Sequence, residues 1–553
     1  MKRYFDKKER IITFSLFAIF LIIGILTFRD YGISIDEEFH RAAGFYWLNY
    51  ILDFTPFREI NAEVTNKLLE LKEFDFQGVS LTYGVIFDIP LSFLEIIFKI
   101  EDPKNYFFLK HFLTFILFYV GSIFFYKLLI NRFSNYVVAI LGTLFFILSP
   151  RIYGNSFFNP KDIIFLSLVS IAIYYCFKLF DKINYKNFII FSIFCALATS
   201  QRIFGIFIPL SFLAFYILGT LSKKEDLKHF KGIILFFVSF FIFTIIFWPY
   251  LWSNPIENLF KTYQFFSHHP HLETLKMLFD GKYIDNNLVP YNYIFTWIII
   301  TTPTLYLILF SVGYFFIFKN FISNLINLKE NNNSYDFWKN EGEKKDLFII
   351  FNLTFIILML IISRASIFTG WRHLYFINIF IIYLSVYGLY KININLNSNI
   401  AKKSVLGLII FYLFFIVYKM YNYHPYQNIY FNTIFANTIK NIHEKFEVDY
   451  WGLSGKKALN EILVLEKNSN NVSVGVASYL QLEKSKKLLE KHEREKIKIV
   501  GQEYEKADYI YTNFMSEVDK KYNDKYNIPE TYSKISTFKL DNILIYELFK
   551  KNR

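Results

Sequence analysis

Long apolar runs recur along the chain up to about residue 420, and clusters of polar residues recur at matching ends of these runs. A membrane-spanning helix needs about 20 mostly apolar residues at about 1.5 Å of rise each. Eleven runs reach or approach that length, and they begin near Ile11, Tyr106, Asn135, Ile163, Phe188, Ile203, Gly232, Tyr293, Leu347, Leu374 and Ser404. The pattern predicts a mainly α-helical, polytopic membrane protein with about 11 transmembrane helices.

The run over residues 83–98 is interpreted differently, because Asp88, Pro90 and Glu95 interrupt it. As a helix it would be about 24 Å long, which is short for a hydrocarbon layer of about 30 Å. Counting it as a span would also reverse the side of every later loop. We therefore predict a helix that lies in the membrane interface.

Composition and charge agree with a membrane protein whose orientation can be predicted. Hydrophobic residues make up 54% and aromatic residues 21% of the 553 positions, which is more than a soluble core requires. With eleven spans, every predicted cytoplasmic segment carries at least two basic residues, as the positive-inside rule expects. These segments are residues 2–10, 127–132, 178–186, 223–231, 319–345 and 391–403.

The net charge of +13 is explained by this orientation and gives no reason to expect a nucleic-acid partner. The rule places the N-terminus in the cytoplasm and the C-terminal region outside it. We therefore expect a multi-pass protein of the cell (plasma) membrane.

The composition changes after the last apolar run, which predicts two domains. Residues 1–420 form the predicted transmembrane domain, with a first outer loop at 28–105 that carries the interfacial helices and another outer loop at 249–292. Residues 421–553 form a predicted small extracytoplasmic α/β domain. Cys176 and Cys195 both lie inside apolar runs, so no disulfide framework is expected to hold the outer segments.

The C-terminal region has the short alternating patterns that are typical of strands. Strands are predicted at 472–478, 497–500 and 507–514, with one helix at 479–493. A terminal hairpin is predicted over residues 535–549, with its turn at Asp541 and Asn542.

Candidate chemistry begins directly after the first apolar run, in the string GISIDEEFHRAAGFYW, which contains Asp36, Glu37 and His40. A carboxylate at the depth of the lipid headgroups stays in contact with water and can serve as a general base. The alternative is that these acidic residues flank the span because they are soluble there.

The next polar cluster, SPRIYGNSFFNPKD, contains Arg151, Asn155, Asn159, Lys161 and Asp162 between two apolar runs, and we interpret it as a second outer loop. Mixed acids, bases and amides can hold a polar or phosphorylated ligand at the membrane surface. The alternative is an N-terminal cap for the following helix, with Asp162 in its first turn, and Asp162 can do both.

Two further clusters lie at span ends on the same predicted side. Arg202 occurs in TSQRIFG, and Arg364, Arg372 and His373 occur in SRASIFTGWRHLYF. Arginine suits a phosphate close to lipid because its planar donors stay charged there. Each arginine alone has a simpler interpretation as an anchor that reaches to the interface.

Three histidines, His268, His269 and His271, lie close together in the outer loop at 249–292. A divalent metal site there is one alternative, but neighbouring histidines without a carboxylate at helical spacing are a weak signal. A solvated loop is the preferred interpretation, so no metal ligand and no cofactor are assigned.

At the level of whole motifs the chain resembles a known family. The strings IDEEFH, SPRIYGNSFFNPKD, QRIFG, WPYLWSNP, TTP, GWRHLYF, HPYQNIYFN and DYWG resemble motifs of the phospholipid carrier-dependent glycosyltransferases of the GT-C type. The chain is similar to protein O-mannosyltransferases of glycosyltransferase family 39 and to the lipid A aminoarabinose transferase. The resemblance covers nearly the whole membrane part and extends to Trp451.

The resemblance implies a GT-C fold in which residues 1–420 are catalytic, and an enzyme that takes a sugar from a polyprenyl-phosphate donor outside the cytoplasm. It implies that the acidic residue of the first outer loop, Asp36, is the catalytic residue and that Asp162, an acidic residue of the second loop, supports the site. One departure is that Leu81, Thr82, Tyr83 and Gly84 stand where the aminoarabinose transferase type carries a Lys-Pro-Pro segment.

We therefore predict an inverting glycosyltransferase that moves a hexosyl or pentosyl group to a hydroxyl acceptor on a lipid, glycan or protein. The predicted catalytic residues are Asp36, Glu37 and Asp162. The predicted contacts to the donor phosphate are Arg202, Arg372, Lys161 and Arg151, and the predicted contacts to substrate are His40, Asn159, His373 and Tyr83.

The competing hypothesis is a lipid or polysaccharide flippase or transporter. Ion-coupled transporters usually place ionisable groups near the middle of the membrane and often contain inverted repeats. The central parts of the eleven runs lack Asp, Glu, Lys and Arg, and no repeat is evident in the sequence. This pattern favours an enzyme that works at the membrane surface.

Overall fold

The computed structural model describes most of the chain as one helical body with a small sheet near its C-terminus. The described residues are 6–71, 82–222, 230–267, 276–286, 288–326, 337–469, 471–519 and 524–552. Within them, nine helical segments are long and apolar enough to cross a membrane. These nine are Lys7–Thr27, Pro103–Phe133, Pro160–Asp181, Ile203–Leu221, Phe230–Phe247, Thr304–Ile326, Glu341–Ile362, Arg372–Asn395 and Asn399–Asn422.

The mainly helical, polytopic architecture predicted from the apolar runs is confirmed, and the two remaining predicted spans have identifiable structures. The run near Asn135 forms two helices, Tyr136–Ile147 and Pro150–Phe158, bent by 62° at a short break, which would make a tenth span if counted together. The run near Phe188 forms helix Tyr185–Gln201, whose 17 residues fall just short of a full span. The run near Tyr293 begins with a separate short helix, Tyr293–Thr301, and the span itself starts at Thr304.

For later reference the helices are numbered along the chain. The first eleven are α1 Lys7–Thr27, α2 Glu37–Leu52, α3 Arg58–Glu70, α4 Asp88–Ile97, α5 Pro103–Phe133, α6 Tyr136–Ile147, α7 Pro150–Phe158, α8 Pro160–Asp181, α9 Tyr185–Gln201, α10 Phe207–Leu221 and α11 Phe230–Phe247. The other eleven are α12 Pro255–Ser267, α13 Tyr293–Thr301, α14 Thr304–Ile326, α15 Glu341–Ile362, α16 Asn378–Asn395, α17 Asn399–Asn422, α18 Thr433–Thr438, α19 Ile442–Lys445, α20 Gly455–Leu465, α21 Leu482–Lys486 and α22 Lys491–Lys496. Short 3₁₀ turns precede α10 at Ile203–Ile206 and α16 at Arg372–Ile377.

The first outer segment contains three helices, α2, α3 and α4. The helix predicted at 83–98 is present as α4, but it is shorter, and its buried face includes Asp88, Ser92 and Glu95. Glu95 forms an ion pair with Arg41 of α2, and Gly44 of α2 allows close contact with α4. This polar face therefore packs on protein, which explains why acidic residues interrupt the apolar run.

The C-terminal region contains a five-stranded sheet. Its strands are β3 Val472–Val476, β4 Ile497–Gly501, β5 Tyr509–Thr512, β6 Tyr532–Leu540 and β7 Ile543–Lys551. A separate hairpin in the outer segment before α13 is formed by β1 Lys276–Phe279 and β2 Lys282–Asp285. The strand order is β4-β3-β5-β7-β6, with β3 parallel to both neighbours and β6 and β7 antiparallel. The predicted strands and terminal hairpin are confirmed.

The single helix predicted at 479–493 is wrong, because this segment forms the short helices α21 and α22. Glu490 adopts an extended conformation and caps α22 together with Glu493, which ends any continuous helix at that point. The C-terminal region also packs directly on the helices, as the rings of Trp451 and Phe158 show with centroids 5.8 Å apart. The predicted boundary at residue 421 stays a prediction.

Helices α14 and α16 approach each other closely at two glycines. A Cβ atom on Gly313 would lie 1.9 Å from the Leu384 carbonyl oxygen, and one on Gly388 would lie 2.1 Å from the Leu309 carbonyl oxygen. Glycine is therefore required at both positions for this backbone contact.

We expect Gly388→Ala to destabilise the protein by about 1–3 kcal/mol, because the added methyl group forces the two backbones apart. The measurement is the thermal unfolding midpoint of the purified protein in lipid. Gly407→Ala in α17 is the matched control, since a Cβ there meets nothing within 4 Å. Equal midpoints for the two variants would contradict the predicted contact.

Candidate active site

The predicted second outer loop is not a loop in the structure, and this correction determines where its polar residues lie. Its residues form helix α7, all nine of which are buried, followed directly by α8. Asn159 caps α8, because its side-chain oxygen accepts a hydrogen bond from the Asp162 backbone N–H at 3.1 Å. The Asn159 amide also donates to the Asp162 carboxylate at 2.9 Å. The capping interpretation is therefore confirmed, and the cap orients Asp162.

Asp36 occupies the N-cap position of α2 and faces an arginine from a distant part of the chain. Its Oδ2 accepts a hydrogen bond from Arg372 Nη1 at 2.6 Å, and 37% of its side chain remains exposed. Arg372 starts a 3₁₀ turn after Thr369 and Gly370, whose φ angles of +52° and +72° reverse the chain. That reversal directs Arg372 toward Asp36.

Glu37 lies beneath Asp36 and is fully buried. Its carboxylate accepts a hydrogen bond from the Ser34 backbone N–H at 2.6 Å and lies 3.1 Å from His111 Nε2. Lys110 donates to the Glu37 carbonyl oxygen at 2.9 Å. These contacts hold the turn that presents Asp36, so the geometry favours a positioning role, and the predicted catalytic role of Glu37 stays a prediction.

Asp162 forms a second acid–arginine pair, with 2.5 Å between Asp162 Oδ1 and Arg202 Nη2. Arg202 is in an extended conformation between α9 and the following 3₁₀ turn. The Nε atoms of Arg202 and Arg372 are buried and donate to no partner among the described residues. Two buried guanidinium donors without acceptors indicate room for an anionic ligand.

Tyr83 lies where the two acid–arginine pairs meet. The charges that act on its phenol are those of Arg202, Asp36, Arg372 and Asp162. Burial is the largest effect and raises the pKa of Tyr83 to about 12. The phenol therefore stays protonated at neutral pH and can donate a hydrogen bond.

The position of Tyr83 is fixed by a tight backbone contact. A Cβ on Gly84 would lie 1.3 Å from the Ser200 carbonyl oxygen, so only glycine permits this approach to the end of α9. Lys161 donates to the Gly84 carbonyl oxygen and, at 3.1 Å, to Asp88 Oδ2. Lys161 thus ties this loop to α4, and its predicted contact with the donor phosphate stays a prediction.

The electrostatic surroundings of Asp36 and His40 favour different charge states. Burial opposes ionisation of Asp36, but the nearby charges of Arg372, Lys484 and Arg202 outweigh it and hold the pKa of Asp36 below its usual range. Burial, followed by the charges of Lys161 and Lys110, lowers the pKa of His40 well below its usual range. At neutral pH Asp36 is therefore ionised and His40 is neutral.

A pocket with an empty volume of about 780 Å³, part of it open to solvent, is lined by Tyr83 and by Arg202. Its polar wall includes Tyr83, Gln201, Arg202, Trp248 and His373. In the part of the chain that the structure describes, Gln201 Oε1 and Trp248 Nε1 are buried without a hydrogen-bond partner. The pocket therefore presents donors and an acceptor that only a ligand or water can satisfy.

The opposite wall of the pocket is apolar. It is built from residues at the ends of two spans and the turn between α15 and α16, namely Ile203, Phe204, Leu360, Ala365, Ile367, Phe368 and Leu374. A pocket with one polar and one apolar wall at the ends of spans fits a ligand that has a charged head and a hydrocarbon chain.

Arg151 is placed behind the pocket. Its Nε donates to the Tyr430 carbonyl oxygen at 2.8 Å, and its guanidinium lies 5.2 Å from the Trp297 ring centroid and 4.7 Å from the Phe431 ring centroid. The two Nη atoms of Arg151 are buried and have no hydrogen-bond partner among the described residues, and its predicted contact with the donor phosphate stays a prediction.

Gln201 and Trp248 of the pocket wall and Lys484 beside Asp36 were not among the predicted site residues. Lys484 of α21 donates to the Ile35 carbonyl oxygen at 2.6 Å, and the neighbouring Lys487 forms an ion pair with Glu38. The C-terminal region thus contacts the turn that carries Asp36. No sequence signal indicated this contact, because a lysine on a short polar helix is typical of any solvated surface.

The three histidines considered as metal ligands, His268, His269 and His271, lie outside the described residues. Within the described ranges, no group of three or more His, Cys, Asp or Glu side chains is arranged to hold a metal ion. The alternative of a divalent metal therefore stays open.

Comparison with known proteins agrees with the motif-based resemblance. Residues 93–250 match the family model described as dolichyl-phosphate-mannose-protein mannosyltransferase. The matched segment includes Arg151, Asn159, Lys161, Asp162 and Arg202. A search of curated proteins found no match. The predicted resemblance to GT-C glycosyltransferases is confirmed over this segment.

Proposed function

We propose that this membrane glycosyltransferase of the GT-C type moves a sugar from a polyprenyl-phosphate donor to a hydroxyl acceptor outside the cytoplasm, with inversion at the anomeric carbon. The observation that carries the proposal is the pocket lined by Tyr83 and Arg202, where polar atoms of Arg202, Gln201 and Trp248 lack partners among the described residues and the rest of the wall is largely apolar. The description of the matched family supports a lipid-phosphate sugar as the donor class.

The two arginines suit the leaving group. A sugar that departs from a phosphate leaves negative charge on the phosphate oxygens, and fixed guanidinium donors stabilise that charge. In our proposal Arg202 and Arg372 bind the phosphate, the Tyr83 phenol donates a further hydrogen bond, and the prenyl chain lies along the apolar wall.

Asp36 is the proposed general base. It takes the proton of the acceptor hydroxyl while the acceptor oxygen bonds to the anomeric carbon, and the bond from that carbon to the phosphate oxygen breaks with its electrons. Attack from the face opposite the phosphate inverts the configuration at that carbon. The products are the glycosylated acceptor and the polyprenyl phosphate.

The acid–arginine pairs link donor binding to the availability of the base. Without donor, Arg372 is held by Asp36 and Arg202 is held by Asp162. A phosphate that takes hydrogen bonds from these arginines competes with the two carboxylates, which weakens the hold on Asp36. The base is then free to turn to the acceptor only when a donor is present.

The remaining predicted residues have supporting places in this proposal. Asn159 orients Asp162, and Asp162 orients Arg202. His373 lines the pocket, where it contacts the Phe368 ring at 4.6 Å between centroids. Neutral His40 lies against Tyr83, with ring centroids 6.5 Å apart, and we assign both histidines to substrate contact.

The test is transfer by the purified protein in lipid with a panel of polyprenyl-phosphate sugars, a mannosyl donor included, and hydroxyl acceptors. We expect release of polyprenyl phosphate together with a glycosylated product of inverted anomeric configuration, as read by nuclear magnetic resonance. Movement of the lipid-linked sugar across vesicles without any release of polyprenyl phosphate would overturn the proposal in favour of the flippase.

We expect Lys484→Met to shift the acidic limb of the rate–pH profile to higher pH. The Lys484 charge contributes to the lowered pKa of Asp36, so its removal raises that pKa, and Asp36 loses its proton-accepting form at a higher pH than in the native protein. The measurement is kcat/KM against pH.

Lys486→Met on the same helix is the matched control, because Lys486 pairs with Glu483 at 3.6 Å and exerts no resolved effect on Asp36. A profile for Lys484→Met that overlays the native one would contradict an electrostatic role for the C-terminal region.

A further inference from the structure

A second groove lies away from the candidate active site, where the outer ends of α1 and α5 meet the C-terminal region. Its lining includes Phe28 and Arg29 after α1, Lys104 and Phe108 in α5, and Lys456 in α20, around an open volume of about 1100 Å³. Three of these residues are cations from three separate parts of the chain.

The three cations surround one aromatic ring. The distances to the Phe108 ring centroid are 5.9 Å from Arg29 Cζ, 5.9 Å from Lys104 Nζ and 6.0 Å from Lys456 Nζ. Each is a cation–π contact by distance. The three charges consequently lie within about 12 Å of each other, and any pair closer than the Debye length of about 8 Å repels at physiological ionic strength.

One neighbouring carboxylate neutralises a cation of the cluster, and another pairs with a histidine outside it. Glu490 forms an ion pair with Lys104, and the Asp30 carboxylate lies 2.8 Å from His424 Nε2. Lys456 Nζ donates to the backbone carbonyls of Arg29 and Asp30, at 2.8 and 3.2 Å. The Arg29 guanidinium forms no hydrogen bond to any described residue. The cluster thus keeps an excess of positive charge.

This arrangement disfavours the charged form of Lys456. Burial is the largest effect that lowers the pKa of Lys456, and the charge of Lys104 lowers it further, while Asp30 opposes both. An anion placed between the cations would relieve this repulsion and favour the charged form.

We propose that this groove binds the phosphate group of an anionic phospholipid from the surrounding bilayer. The groove opens where two spans end, at the level of the lipid headgroups, and its other lining residues Phe28, Phe108, Leu109 and Phe112 are apolar. A lipid satisfies both features, because its phosphate meets the cations while its acyl chains lie along the phenylalanines.

The bound lipid has a structural consequence. Arg29 and Lys104 belong to the helical part, whereas Lys456 and Leu488 belong to the C-terminal region. One phosphate that contacts all three cations links these parts, so binding stabilises their contact by mass action. The proposal concerns lipid binding alone and does not depend on the proposed transfer reaction.

The test compares phosphatidylglycerol with phosphatidylcholine as probes for the purified full-length protein. Native mass spectrometry counts bound lipid, and thermal unfolding reports stabilisation. We expect phosphatidylglycerol to bind and to raise the unfolding midpoint more than phosphatidylcholine does. In the triple variant Arg29→Gln, Lys104→Gln, Lys456→Gln we expect phosphatidylglycerol affinity to fall on the order of 10²-fold.

The matched control is the triple variant Lys506→Gln, Lys525→Gln, Lys534→Gln, which removes the same charge from exposed lysines outside the groove. Equal loss of affinity in both triple variants would overturn the proposal, because binding would then depend on net charge. An equal rise of the midpoint with inorganic phosphate would overturn the lipid as the ligand. If the groove triple variant fails to fold, the single variant Arg29→Gln is measured instead. If that variant binds as many phosphatidylglycerol molecules as the native protein, the proposed site is refuted.

Discussion

Replacing Asp36 by asparagine is expected to lower the rate of sugar transfer by at least about 10²-fold, with donor binding retained. A positioned general base contributes about 10²–10⁴-fold to a rate, and asparagine keeps the shape of the side chain while it cannot accept the acceptor proton. Arg372 loses a competing carboxylate in this variant, so donor affinity is expected to stay the same or to increase. The measurements are kcat for transfer and the Kd for donor.

Asp53→Asn is the matched control in the same outer segment, because Asp53 is exposed at the end of α2 and accepts a hydrogen bond only from Asn61 among the described side chains. We expect native rates for this variant. If Asp36→Asn folds normally and turns over donor at the native rate, Asp36 is not the base and the proposed mechanism fails.

The pH dependence of sugar transfer by the native protein also tests whether Asp36 is the general base. Because the pKa of Asp36 lies below its usual range, Asp36 stays ionised as pH falls through the range in which an ordinary aspartate takes up a proton. We expect the acidic limb of kcat/KM to lie correspondingly low. Below that limb the base is protonated and transfer is lost.

Replacing Arg202 by alanine is expected to reduce kcat by about 10²–10³-fold, which is the usual effect of removing one donor that stabilises developing negative charge. Arg202 lines the pocket, pairs with Asp162 and keeps a buried Nε without a partner among the described residues. Arg202→Lys keeps the charge and loses the planar fork, so we expect an intermediate rate. The measurements are kcat and KM for the lipid-phosphate donor.

Arg364→Ala is the control for this prediction, because Arg364 lies next to the pocket residues in sequence but is exposed and is absent from the pocket wall. Its rate is expected to match the native rate. If Arg202→Ala lowers the unfolding midpoint but leaves kcat of the folded protein unchanged, Arg202 has a structural role. That result would contradict its proposed contact with the leaving group.

Much of the architecture could be predicted because its signals are local. The apolar runs specify which segments cross the membrane, since each span needs a fixed length of apolar residues whatever its neighbours are. Alternation and turn residues similarly predicted β3, β5 and the terminal hairpin. The cap formed by Asn159 was predictable for the same reason, because it depends on residues three positions apart.

The errors arose where packing overrides the local pattern. The string at residues 150–158 was predicted to be an outer loop, yet it is a fully buried helix in which Asn155 and Ser156 donate hydrogen bonds to the backbone carbonyls of Arg151 and Tyr153. The segment at 479–493 has a helical pattern, but capping at Glu490 divides it.

The sequence by itself determined the membrane class, the helical segments and the residue types that gather at the outer ends of the spans. Only the tertiary structure decided how these residues pair. Asp36 meets Arg372 across 336 positions, Lys484 meets Ile35 across 449 positions, and Arg202 faces Asp162. Such pairs depend on which helices pack together and at what rotation, and hydrophobic periodicity carries no information about either between segments so far apart.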